Sequence, residues 1–193
     1  MNDTDSQVPI PMPYSPLHRL PQELAARAAR IRLACFDVDG TLTDGRLYYD
    51  HAGNESKAFN VLDGQGLKQL EAAGIHVALI TARSSLSAEK RGQDLGLHVQ
   101  IGVKNKRLAV EALCEAHGVA IGDTLFMGDD LPDLPALLAV GLPVAPANAH
   151  PWIAERVRWH TQARGGEGAA REVCDVLLAA QDKVDAVIAR FSA

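Results

Sequence analysis

Asp37-Val38-Asp39-Gly40-Thr41 places two carboxylates, separated only by Val38, directly after Ile31-Arg32-Leu33-Ala34-Cys35-Phe36, a run that is apolar apart from Arg32. That spacing lets both acids approach one cation while Val38 faces a core. Taken alone, the stretch also reads as a solvated turn, since Asp, Gly and Thr are ordinary turn residues. Three further stretches weigh against a turn. Leu79-Ile80-Thr81-Ala82-Arg83 ends an apolar run on a hydroxyl and then a guanidinium. The hydroxyl can donate to a phosphoryl oxygen and the guanidinium can grip a carboxylate or phosphate, although Thr81 alone also reads as a helix cap.

Gly102-Val103-Lys104-Asn105-Lys106 puts a cation at the start of a helical pattern. The helix dipole disfavours a lysine there unless an anion is close; Lys106 opens the pattern, and Lys104 reads as solvated. Phe126-Met127-Gly128-Asp129-Asp130-Leu131-Pro132-Asp133 repeats the first design of apolar run, glycine and acids. Mg²⁺ takes oxygen ligands from one or two carboxylates and a substrate phosphate. Asp129 is expected to ligate it beside Asp37. Asp130 either ligates through water or orients the site, and Asp133 either belongs with them or caps and packs the following helix.

The elements that must position these residues alternate. Strand patterns cover 32–37, 76–81, 99–101, 124–128 and 142–144; helical patterns cover 64–73, 85–95, 106–117, 131–139 and 168–191, with a short helix over 21–30. Such alternation predicts an α/β fold, a Rossmann-like parallel sheet with helices on both faces and ligands at the carboxyl ends of the strands. Between Asp37 and the first of those helices a β-hairpin is expected over about 46–61, turning at Gly53-Asn54. Its Tyr48, Tyr49 and Phe59 suit a contact with another subunit, because large apolar surface seldom stays exposed. The domain is expected over 31–193, with 1–30 an extension whose Pro-rich first 20 residues form a flexible or surface-draped tail.

Composition narrows the partners. The chain has 193 residues and a net charge of −5. An acidic balance argues against a nucleic-acid partner, and no apolar run is long enough to span a membrane. Cys35, Cys114 and Cys174 show no paired spacing and read as buried reduced thiols, which with the lack of a signal-peptide pattern gives a cytoplasmic expectation. The histidines show no ligand spacing; His150, after Asn148 at a sheet edge, is the one to watch.

Across residues 31 to about 145 the order of these motifs resembles the haloacid dehalogenase superfamily of aspartate-nucleophile phosphohydrolases. The resemblance implies Asp37 as nucleophile, Asp39 as general acid/base with its backbone carbonyl on Mg²⁺, Thr81 and Lys106 as the second and third motifs, and Asp129 with Asp130 as the fourth. An aspartyl-phosphate would divide one hard displacement into two easier ones. Neither gap between motifs has room for a cap domain, so a neighbouring subunit is expected to close the site.

Within that superfamily the 37–45, 57–64 and 128–133 stretches, with Arg164-Gly165-Gly166-Glu167-Gly168-Ala169-Ala170-Arg171 and the residues after it, resemble the 3-deoxy-manno-octulosonate 8-phosphate phosphatase subfamily. That resemblance implies a small-molecule sugar acid phosphate as substrate, a role in lipopolysaccharide synthesis, and a homotetramer whose hairpins form a central barrel. The glycine-rich loop opening a helix would offer backbone N–H groups of Gly165 and Gly166 to an anion; without ligand it is simply a flexible loop. Arg83 and Arg164 are candidates for the sugar acid carboxylate, followed by Arg171. Lys57 either reaches a neighbouring site or is solvated. Ala82 departs from the glycine of many relatives. The rival readings are a nine-carbon nonulosonate 9-phosphate phosphatase, a non-catalytic tetramerising regulatory module, and a phospho-acceptor receiver domain. A regulatory module would be expected to lose Asp37, Asp39 or Lys106, and a receiver domain lacks the D-x-D-G-T stretch.

Overall fold

The computed structural model describes residues 15–192. Most of the proline-rich stretch expected to form a tail, residues 1–14, lies outside the described residues. From Pro16 the chain packs: helix α1 (Gln22–Ala28) buries Leu24 and Ala28, and runs into β1 (Leu33–Phe36). Every residue of β1 is buried, because a central parallel strand is covered on both faces and must be apolar throughout.

After β1 come the hairpin strands β2 (Tyr48–Tyr49) and β3 (Glu55–Ser56), then α2 (Val61–Ala72), β4 (His76–Ile80), α3 (Leu86–Leu95) and β5 (His98–Gln100). Next are α4 (Lys106–His117), β6 (Thr124–Met127), α5 (Leu134–Leu137), β7 (Leu142–Ala145), α6 (Pro151–Ala154) and β8 (Trp159–His160). Helices α7 (Ala169–Ala180) and α8 (Val184–Ala189) close the fold. The parallel sheet has six strands in the order β5-β4-β1-β6-β7-β8. Strand order therefore reverses between β1 and β6, and ligands of open α/β sheets bind at such a switch point.

The alternation of β1 divides the core. Ala34 and Phe36 face a cluster with Leu67 and Leu70 of α2 and Val173 and Leu177 of α7. Leu33 and Cys35 face the opposite cluster, with Val110 and Leu113 of α4 and Leu137 of α5. Among the described residues no cap domain is inserted: the chain between β1 and α2 holds only the hairpin, and that between α4 and β6 only a short turn.

Several elements differ from expectation. Helix α2 begins at Val61, earlier than 64, because the Asn60 side chain accepts the Leu62 N–H at 2.8 Å. The single helix expected over 168–191 is broken: Asp182 takes a left-handed φ of 54° and Lys183 N–H returns to the Leu178 carbonyl at 2.9 Å. The apolar period continues across that turn, so the pattern alone hid the break. Strand β8 and helix α6 were not expected. The hairpin forms with strands much shorter than its apolar flanks. Its turn is held by the Asp50 carboxylate, which accepts from the N–H groups of Ala52 at 2.9 Å and Asn54 at 2.8 Å. Tyr48 and Tyr49 are exposed, but Phe59 is half-buried against the core, with the Arg91 guanidinium 5.8 Å from its ring centre.

The α2–α7 layer packs on the sheet face that also buries Val38 and Leu42 of the loop after β1. Leu177→Ala, at a fully buried position there, is expected to cost about 2–5 kcal/mol in urea unfolding, the range for leucine cavities in packed cores.

Candidate active site

Asp37 is the first residue beyond β1, and its N–H still bonds to the Met127 carbonyl of β6 at 2.9 Å. Sheet pairing therefore fixes where its carboxylate emerges. The loop that follows is tied by Thr43, a buried residue whose Oγ1 accepts from Gly40 N–H and Gly45 N–H and donates to the Val38 carbonyl, each at 3.3 Å. Gly40 has φ +86°, and a Cβ there would stand 2.1 Å from Oδ2 of Asp129. Only a glycine lets the two acidic loops approach this closely. Thr41 Oγ1 donates to Asp129 Oδ1 at 3.4 Å.

Lys106 is the cation of the centre. It is buried at the start of α4 with its Nζ in contact with the Asp37 carboxylate and 2.5 Å from Asp133 Oδ1. Asp133 uses its other oxygen to accept the N–H groups of Asp129 at 3.0 Å and Asp130 at 3.3 Å. It also lies against Gly128, where a Cβ would be 2.5 Å from its carboxyl carbon. Asp133 thus resolves the alternatives left by the sequence: it braces the acidic loop and aims Lys106.

Electrostatics follow from crowding. Burial, then the charge of Asp133, pushes the Asp37 carboxyl well above its ordinary range, with Lys106 pulling the other way. Burial and the neighbouring Asp133 likewise raise Asp129, to about 7. Burial alone would lower Lys106, but Asp37 and Asp133 hold its ammonium above the ordinary value. Carboxylate oxygens of Asp37, Asp129 and Asp133 lie within 4.8 Å of one another, a donor set that fits a hard divalent cation. Since Lys106 and backbone N–H groups occupy both oxygens of Asp133, Asp37 and Asp129 are the carboxylates of this set that could hold Mg²⁺.

Asp39 sits beside them, half-buried. Thr81 Oγ1 donates to its Oδ2 at 3.3 Å, and the Lys57 ammonium touches its Oδ1. The sequence left Lys57 as solvated or reaching a neighbouring site; instead its side chain is buried and turns back onto Asp39 of its own chain. Arg83 stands at the mouth, its NH2 2.5 Å from Glu55 Oε2 and 3.1 Å from Tyr49 Oη. Together Asp37, Asp39, Thr81, Arg83, Lys106 and Asp129 line a cleft of about 310 Å³, with exposed Asp130 on its rim.

The glycine-rich loop behaves differently from the expectation of an anion cradle. Gly165 N–H donates to Asn148 Oδ1 at 2.7 Å and Gly166 N–H to the Thr41 carbonyl at 3.1 Å, so neither is offered to a ligand. A Cβ at Gly165 would fall 1.8 Å from the Gly40 carbonyl oxygen. These glycines brace the loop after β1 from behind. The start of α7 already has its anion: Asp63 Oδ1 accepts the Arg171 N–H at 2.8 Å. The Arg171 side chain pairs with Asp175 at 2.7 Å and lines a separate groove beside α8. Neither it nor exposed Arg164 lines the catalytic cleft. His150 caps α6, its Nδ1 accepting the Trp152 N–H at 3.3 Å.

Sequence reasoning gave no role to Thr43, Asn148 or Glu55. Glu55 alone carried a signal, since it precedes Lys57 by two positions in an extended segment and so shares its face.

Acidic loops at the ends of β1 and β6, a buried lysine between them and a hydroxyl at the end of β4 define a haloacid dehalogenase-like hydrolase, and the family model of that description matches residues 52–141. The 3-deoxy-D-manno-octulosonate 8-phosphate phosphatase KdsC of Escherichia coli K12 is 44% identical over 84% of this chain and 87% of its own. A crystal structure described as a hypothetical protein from Xanthomonas campestris is 86% identical, with a TM-score of 0.93 over 94% of this chain and 100% of that one. A 3-deoxy-D-manno-octulosonate 8-phosphate phosphatase from Moraxella catarrhalis, solved with magnesium, phosphate and KDO, is 39% identical with a TM-score of 0.84, covering 88% of this chain and 98% of that one. The chain belongs to the 3-deoxy-D-manno-octulosonate 8-phosphate phosphatase family.

Asp133 accepts from Lys106 and from the N–H groups of Asp129 and Asp130, so an amide in its place would set donor against donor in a buried site. Asp133→Asn is expected to cost about 3 kcal/mol in urea unfolding, whereas Asp130→Asn, on the exposed rim, should stay within about 0.5 kcal/mol.

Proposed function

We propose that this chain is a Mg²⁺-dependent phosphomonoesterase that hydrolyses 3-deoxy-D-manno-octulosonate 8-phosphate to the sugar acid and phosphate, a step of lipopolysaccharide precursor synthesis. The observation that carries the reading is the Asp37 carboxylate held against Lys106 at the switch point of the sheet, in a chain 44% identical to a named phosphatase of this substrate. Mg²⁺ held by the Asp37 and Asp129 carboxylates and the Asp39 backbone carbonyl would neutralise phosphoryl charge and fix the phosphate for in-line attack.

The chain's own residues do the rest. A carboxylate oxygen of Asp37 forms a bond to phosphorus as the bond from phosphorus to the sugar C8 oxygen breaks. Asp39, oriented by Thr81 and Lys57, gives its proton to that leaving oxygen. The Lys106 ammonium balances charge on Asp37 and on the phosphoryl oxygens. In the second step Asp39 takes a proton from water as the water oxygen bonds to phosphorus, freeing phosphate and restoring Asp37. Arg83, at the mouth, takes the sugar acid carboxylate. A regulatory module without activity fits less well, because Asp37, Asp39 and Lys106 are all present in one contiguous centre.

The finer parts of the reading have their own support. Leu47, Tyr48 and Tyr49 are 43–58% exposed on the hairpin arm, surface suited to burial in a homotetramer whose subunits close one another's clefts. All three cysteines are free and buried, in keeping with a reducing cytoplasm, and among the described residues no helix is long and apolar enough to cross a membrane. Residues 31–193 would form the catalytic domain and 1–30 its extension.

Phosphate release from a panel of eight- and nine-carbon sugar acid phosphates tests the substrate. The eight-carbon 8-phosphate should be turned over fastest, only with Mg²⁺ present, and Asp37→Asn should lose at least about a thousandfold in kcat. Preference for a nine-carbon 9-phosphate would overturn the substrate, and near-normal turnover by Asp37→Asn the mechanism. Light scattering on the active enzyme should give the mass of a tetramer; an active monomer would remove the capping proposal.

A further inference from the structure

Glu55, in β3, joins the hairpin to the wall of the cleft. Its Oε1 accepts from Lys57 Nζ at 3.0 Å and from Ser85 Oγ at 3.1 Å, and its Oε2 meets Arg83 NH2 at 2.5 Å. Its backbone carbonyl also accepts from Ser87 Oγ at 3.4 Å. Burial works against its charge, yet hydrogen bonds from Arg83, Lys57 and Ser85 hold the carboxyl down at about 2. It is therefore an anion throughout the physiological range.

The partners are not equivalent. Ser85 is the N-cap of α3, accepting the Ala88 N–H at 3.4 Å, and so provides a fixed anchor. Arg83 is a long, flexible cation that lines the cleft, whereas the Lys57 side chain is buried behind it. Lys57 continues from Glu55 to the Asp39 carboxylate, whereas Arg83 is fixed through one terminal nitrogen, with its Nε buried and without a partner. A guanidinium pinned on one side keeps its remaining donors in a fixed plane, ready for a carboxylate. A loose guanidinium at the mouth would lose rotamer entropy on every binding event.

We propose that Glu55 is a positioning residue for substrate recognition: it fixes Arg83 at the mouth of the cleft before substrate arrives. The inference rests on the reading that Arg83 meets the carboxylate of a sugar acid phosphate. It makes the hairpin part of the specificity apparatus of its own chain, separate from any contact it makes with a neighbour.

The test is steady-state kinetics of wild type and Glu55→Gln with the sugar acid 8-phosphate and with p-nitrophenyl phosphate, which has a phosphate and no carboxylate. Glu55→Gln should raise KM for the sugar acid phosphate roughly tenfold, the loss expected for a charge-assisted hydrogen bond, and move KM for p-nitrophenyl phosphate less than about twofold. Equal KM values for wild type and variant would overturn the proposal. A parallel rise with both substrates would assign Glu55 a structural role only, and a fall would make it a competitor of the substrate. If wild type turns over p-nitrophenyl phosphate and no sugar acid phosphate, the substrate reading fails. The crystal structure of Glu55→Gln then decides the positioning claim by itself, supporting it if Arg83 has moved and refuting it if Arg83 has not.

Discussion

The structure depends on holding three carboxylates, Asp37, Asp129 and Asp133, within a few ångströms of one another in a largely buried place. Like charges so close cannot all stay ionised unless positive charge is built in beside them. Lys106 supplies it, and the cost of burying an ammonium is met by the same acids. Each member of the cluster comes from a different strand end or helix start. The β1–β6 pairing sets Asp37 beside the β6 loop, and the start of α4 delivers Lys106 between them. A lysine in the first turn of a helix is unfavourable by itself; here the anions it meets reverse the sign.

Close approach of charged loops explains where glycine is obligatory. At Gly40 a side chain would strike the Asp129 carboxylate, at Gly128 the Asp133 carboxylate, and at Gly165 the carbonyl of Gly40 itself. The first two collisions are of one kind, and the third is backbone against backbone. The acids lie directly on neighbouring backbone, so the loops that carry them leave no room for a Cβ. The Gly165–Gly166 turn, itself held by Asn148, then locks the loop after β1 through the Thr41 carbonyl. Asp63 plays a parallel part at α7, where an internal carboxylate takes the place at the helix start that a ligand anion would otherwise fill.

What could be read from the sequence is what short-range pattern encodes. The apolar runs gave β1, β4 and β6, and each ends on the residue that enters the cleft: Asp37, Thr81 and, one glycine later, Asp129. Lys106 was legible from its conflict with the helix dipole. Long-range side-chain reach was not legible. Lys57 turns inward because Glu55 and Asp39 are there, which requires the hairpin to fold over β4's carboxyl end. The glycine loop has the composition of an anion cradle, and only the packed structure shows its N–H groups already spent. The break at Asp182 escaped for the opposite reason, since apolar spacing persists through a turn that the backbone does not.

The central claim is that Asp37 attacks phosphorus and that water completes the reaction in a second displacement. The stereochemical course at phosphorus tests this most directly, using an eight-carbon sugar acid phosphate made chiral by oxygen isotopes and sulfur, with hydrolysis in isotopically labelled water. Two successive in-line displacements invert twice, so the account predicts net retention of configuration. Net inversion would mean that water attacks the substrate directly, and would contradict it.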